Sequence, residues 1–155
     1  MAGEFEQLAY EAALRSLDKQ ERLLEELRAR TGVLLAGSSI AASFLGQQAF
    51  QHPRPGALVV VALVAFLVSM GASVFILMPK RGLIFAEAGI ELFEGLYPTR
   101  GDLAEVYRRL AYNLDRFWKA NDIAIVVLTR AYSLAAGALV IEILSLVVLL
   151  VGRIV

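Results

Sequence analysis

The chain has 155 residues, 58% of them hydrophobic and 19% charged, with a mean hydropathy of +0.64 and fifteen basic residues balancing fifteen acidic ones. That balance excludes a disordered segment and a basic nucleic-acid binder. With no cysteine and one histidine, it also excludes a disulfide-stapled module, thiol catalysis and His/Cys zinc sites.

Residues 1–30 come first, and they read as a cytoplasmic amphipathic helix. Tyr10, Leu14, Leu17, Leu24 and Leu27 recur at spacings of four, three, seven and three and form one apolar stripe. Glu11, Asp18, Glu21, Arg22, Glu25, Glu26 and Arg28 occupy the other faces. No proline interrupts the run, and a single Gly32 costs only about 1 kcal/mol. The helix is therefore expected to continue from about residue 4 to 50.

Charge then disappears from three windows: residues 31–53, residues 55–79, and residues 131–152 apart from Glu142. A helix needs about 20 apolar residues to cross the hydrocarbon layer, so each window is long enough. The expected spans are 31–52, 57–78 and 131–152, joined by an external turn at 53–56. The second, ALVVVALVAFLVSMGASVFILM, is the purest, and the first is the most polar. A signal peptide does not fit the first span, because a charged thirty-residue segment precedes it. The fold expectation is all-α: an integral membrane protein of three spans, two of which extend as long cytoplasmic helices.

Residues 79–130 form the expected cytoplasmic helical hairpin. Met78-Pro79-Lys80-Arg81-Gly82 stops the second span, and LIFAEAGIELFEGLY at 83–97 reads as a short helix. Asp102 and Glu105 make a capping-box start for the helix that follows. Leu103, Val106, Tyr107, Leu110, Leu114 and Phe117 keep helical spacing up to Trp118, and the third span continues without a proline. Its start lies either at 131, with Arg130 at the inner interface, or at Ile123, which would place Arg130 in the bilayer. Thirteen of the fifteen Lys and Arg lie in residues 1–30 and 79–130. By the positive-inside rule that side is the cytoplasm, so the N-terminus is inside and the C-terminus outside the plasma (inner) membrane. Arg130 and Trp118 would anchor the inner interface and Arg153 the outer one.

Glu142 is twelfth in the 22-residue window, near the bilayer midplane. A carboxyl there must be neutral, face a polar cavity or meet a partner. It would either hydrogen-bond to Ser38, Ser39 or Ser43 of the first span, or line a pore as a ring in a symmetric oligomer. A different register would bring it near the outer surface instead. Ser38, Ala42 and Gly46 form one row of small residues and Ser39 and Ser43 another, which marks a helix-packing face. Glu87, Glu91 and Glu94 share a helix face that is either solvated, paired with Arg108 and Arg109, or suited to a divalent cation. His52, in the external turn, reads as a solvated residue or a pH sensor. No phosphate loop, G-x-S-x-G, H-E-x-x-H or nucleophile–base pair occurs, so neither an enzyme nor a cofactor is expected.

The join LRARTGVLLAGSSIAASFLG, a charged helix entering a small-residue span, resembles small bacterial membrane proteins. The closing charged helix with Asn121, followed by Val140-Ile141-Glu142-Ile143-Leu144, does so too. The layout is similar to the Pycsar and SLATT groups of membrane effectors in nucleotide-signalled bacterial defence. That resemblance implies a protein that acts on the lipid bilayer, with a small signal as its trigger; because one three-helix protomer leaves little room for a channel, conduction would need a homo-oligomer. No cyclic-nucleotide pocket is legible in the chain. Two functions are therefore expected: an oligomeric pore or ion pathway, or a membrane scaffold whose cytoplasmic helices bind a partner protein.

Overall fold

The computed structural model describes residues 2–51, 56–80, 83 and 103–152. His52 and most of the 53–56 turn lie outside the described residues. So do most of the 83–97 helix with Glu87, Glu91 and Glu94, the Asp102 cap, and Arg153. Among the described residues all regular structure is helical: α1 (Ala2–Gln51), α2 (Ala57–Leu77) and α3 (Leu103–Val151). α1 passes through Gly32 unbroken, as expected where no proline or capping signal opposes the helix. α2 ends where the Met78 N–H donates to the Val74 carbonyl at 2.9 Å. Pro79 follows; it has no N–H and cannot extend the ladder.

The chain packs as two compact units, Met1–Glu25 with Lys80–Val126 and Glu26–Pro79 with Val127–Val155. In the first unit α1 and α3 run parallel. The Tyr10 and Tyr107 rings meet at 5.6 Å, and farther along Gln20 Nε2 donates to the Trp118 carbonyl at 3.1 Å. Leu17, Leu24, Leu110, Leu114 and Ile125 are buried between the helices. Burying each such side chain contributes about 1.5–3 kcal/mol. Exposed i,i+4 ion pairs, Arg15–Glu11, Arg109–Glu105 and Lys119–Asp115, decorate the outside. This is the polarity of a helix pair in water.

In the second unit the polarity is reversed. Ser38 of α1 bonds to Ser69 of α2, while Ala41 and Leu45 cluster with Ala62 of α2 and Leu146 of α3. As α1 numbers rise, α2 numbers fall and α3 numbers rise, so α2 is antiparallel to the other two. The residues α2 buries are Ala62, Ala65, Ser69, Ser73 and Ile76, at helical spacings of three and four. Its Val60, Val61, Leu63, Val64 and Leu67 are instead between 46% and 58% exposed. α3 likewise buries Ala135, Ala138, Glu142 and Ser145 while Val140, Ile141, Ile143 and Leu144 face outward. Small side chains inside allow close approach of the backbones, and most of the large aliphatic ones are left outside, Leu45, Ile76, Leu128 and Leu146 being among those buried.

Two helices, α2 and α3, are long and apolar enough to cross a membrane, each with an 18-residue stretch of mean hydropathy 2.7. The expected first span, in α1, is more polar, because Ser38, Ser39, Ser43, Gly32, Gly37 and Gly46 interrupt its aliphatic residues.

Candidate functional site

The 3-4 spacing that buries Ala135 and Ala138 on α3 brings Glu142 onto the same seam, one turn beyond Ala138. Glu142 is fully buried, and neither carboxyl oxygen has a hydrogen-bond partner among the described residues. The Ser38 hydroxyl interacts with it electrostatically, outside hydrogen-bonding geometry. Ser38 is itself buried and shares a 2.9 Å hydrogen bond with Ser69 of α2. One turn along α2, the Ser73 hydroxyl is buried and has no partner among the described residues.

Helical side chains tilt toward the N-terminus of their own helix. α2 and α3 are antiparallel, so Ser73 leans back toward the Ser69 level while Glu142 leans back toward the Ser38 level. The orphaned groups therefore tilt toward one stretch of the core. Two further hydroxyls are buried in the same unit: Thr31 donates to the Leu27 carbonyl at 2.7 Å, and Ser145 donates to the Ile141 carbonyl at 2.8 Å. Each uses its proton on the backbone and keeps its oxygen lone pairs free. Oxygen lone pairs outnumber the uncommitted protons, which are those of Ser73 and of one member of the Ser38–Ser69 pair.

Of the small-residue rows expected on α1, only Ser38 reaches this centre. Ser39 and Ser43 are exposed and donate back to the Leu35 and Ser39 carbonyls at 2.8 and 3.0 Å. Ala42 and Gly46 are half-buried, and the adjoining Ala41 and Leu45 take the core positions. Sequence reasoning passed over Ser69, Ser73, Thr31 and Ser145. A signal for the first two was present, since Ser69 and Ser73 are the only hydroxyls in the 57–78 window and lie one turn apart.

Elsewhere, Arg130 is exposed on α3, and half-buried Trp118 offers its carbonyl to Gln20. Arg108 and Arg109 both reach Glu105. Among the described residues no three His, Asp or Glu side chains converge as a metal site. The first unit also carries a groove between α1 and α3 lined by Phe5, Ala9, Ala12, Ala111 and Tyr112, with Arg108 at its edge. Phe5 is 75% and Tyr112 72% exposed. No known protein family, curated protein or solved structure matches this chain.

Proposed function

We propose that the chain is an integral membrane protein whose second unit spans the bilayer with three helices and provides an ion pathway in a homo-oligomer. The observation that carries this reading is the inverted packing around Glu142. A carboxyl and many of the serines and alanines are inside, with Leu45, Ile76, Leu128 and Leu146, while most of the valines, leucines and isoleucines are outside. In water such a surface would drive collapse or aggregation, whereas in hydrocarbon it is the favourable arrangement. An ionisable side chain held at the centre of such a unit is a functional group by default, because lipid exacts a penalty for it. Glu142 is fully buried within one protomer, so on this reading each copy in the oligomer carries a path past Glu142, Ser38, Ser69 and Ser73. A bacterial inner-membrane setting, as a channel or as an effector that discharges the membrane, follows the resemblance of the layout.

The test combines two measurements on the purified protein. Its mass in detergent, corrected for bound detergent, should correspond to several copies. Ion flux into vesicles containing it should change at least about tenfold in Glu142→Gln, which keeps shape and hydrogen bonding but removes ionisation. A monomer whose flux matches that of empty vesicles would sink the reading. A second function has its own observation, the exposed apolar groove of the first unit. On that reading the spans anchor the chain and the groove seats a helix of a cytoplasmic partner protein. Phe5→Ala with Tyr112→Ala would then abolish function while leaving flux unchanged.

A further inference from the structure

We infer that the Glu142 centre is a binding site for one small monovalent metal cation, Na+ being the ion matched to its donors. The inference rests on the reading of the second unit as membrane-spanning and names the ion that unit would handle.

The chemistry of the centre selects the ligand class. Its donors are all oxygens: the two carboxyl oxygens of Glu142 and the hydroxyls of Ser38, Ser69 and Ser73. Hard oxygen donors without nitrogen or sulfur suit alkali and alkaline-earth ions and not the later transition metals. One carboxylate supplies one negative charge, and the windows 31–53, 55–79 and 131–152 hold no other Asp or Glu. A monovalent cation leaves such a centre neutral, whereas a divalent ion would leave it with a buried positive charge. The protein offers no counter-ion of its own within the windows 31–53, 55–79 and 131–152, which hold no Lys or Arg.

Hydrogen bonding points the same way. Three buried oxygens of this centre, Glu142 Oε1, Glu142 Oε2 and Ser73 Oγ, have no hydrogen-bond partner among the described residues. Their neighbours Ser38 and Ser69 share one hydrogen bond between two hydroxyls and keep further lone pairs. A bound cation satisfies several acceptors at once, drawing on α1, α2 and α3 together, and so doubles as a clasp between the helices. Its occupancy should then be read directly in the stability of the fold.

The test is thermal unfolding of the full-length protein in detergent at one fixed pH, with NaCl exchanged for choline chloride at constant ionic strength. The parent should gain about 5 °C in Tm from no added Na+ to saturation. Glu142→Gln should show no dependence on Na+. Ser73→Ala, a milder change, should need about tenfold more Na+ for half the effect. Ser39→Ala, exposed and bonded to its own backbone, should behave like the parent. Equal melting in Na+ and choline would overturn the site. So would a Na+ response that survives in Glu142→Gln, which would place the ion elsewhere. The same pair of salts is then compared at a second pH: melting that follows pH in the parent but not in Glu142→Gln, and ignores Na+ at both values, would leave a proton as the only ligand and would also overturn it. Flux in vesicles separates this inference from the proposed function. Na+-dependent melting without flux keeps the site and removes the pathway, whereas Glu142-dependent flux without Na+-dependent melting does the reverse.

Discussion

At the scale of single residues, the unpartnered state of Glu142 sets the sign of its mutants. Removing one member of a satisfied buried pair destabilises, but replacing a buried group that has no partner relieves a desolvation penalty. In Na+-free medium Glu142→Leu, apolar and of comparable size, is therefore expected to stabilise the protein by about 1–3 kcal/mol in chemical unfolding while removing its ion-dependent behaviour. A loss of stability of that size would mean that Glu142 has a partner in the membrane. Ser38→Ala should lose about 1 kcal/mol, because it leaves the buried Ser69 hydroxyl alone. Ser39→Ala should stay within about 0.5 kcal/mol of the parent, since that hydroxyl is exposed and bonds only to Leu35 of its own helix. The contrast between adjacent serines, measured in one unfolding series, isolates the core contact from helix propensity.

At the scale of elements, the decisive feature is a seam at spacings of three and four that changes its filling along each helix. α1 buries Leu17, Leu24 and Leu27, then Thr31, Ser38 and Ala41. Small residues in the second unit permit a close approach that larger ones would prevent. Ala65→Leu should destabilise by about 1–3 kcal/mol through overpacking, as read in the unfolding midpoint. Gly137→Ala should stabilise by about 0.5–1 kcal/mol, because nothing lies within 4 Å of the added carbon and helical glycine is entropically unfavourable. A marked loss in Gly137→Ala would show that a second copy or a lipid packs against that face. Much of this level was legible in the sequence. The leucine stripe, the uninterrupted runs through Gly32 and Arg130, and the stop at Pro79 fix the helices, because periodicity and proline chemistry act locally. The packing face of α1 was legible only in part. Its small residues at 36–39 and 41–43 nearly encircle the helix. Composition alone then could not choose Ala41 and Leu45 over Ala42 and Gly46. Contact with Ala62 and Leu146, which are distant in sequence, makes that choice.

At the scale of the whole molecule, the packing of the second unit depends on where water is. Exposed leucines and valines around a seam of small and hydroxyl-bearing side chains are favoured where the outer solvent is itself apolar. Exposure to solvent and exposure to lipid leave the same surface area in the folded chain but differ in chemistry, and the absence of any cysteine makes that difference measurable. Single cysteines can be introduced at Leu8, Val33, Tyr112 and Val151, where the native side chains are 63%, 74%, 72% and 55% exposed. In sealed vesicles of known orientation, a membrane-impermeant maleimide should label Leu8→Cys and Tyr112→Cys from the cytoplasmic face, the side with thirteen of the fifteen Lys and Arg. Val151→Cys should label from the opposite face. Val33→Cys, the most exposed of the four, should resist the reagent from both sides until detergent is added, because a thiol in hydrocarbon meets no water and does not ionise. Val33 lies in the most polar of the three expected spans, so this position bears hardest on their number. Rapid labelling there in intact vesicles would put α1 in water, reduce the membrane-spanning helices to α2 and α3, and leave the exposed face of α1 to be covered by protein instead of lipid.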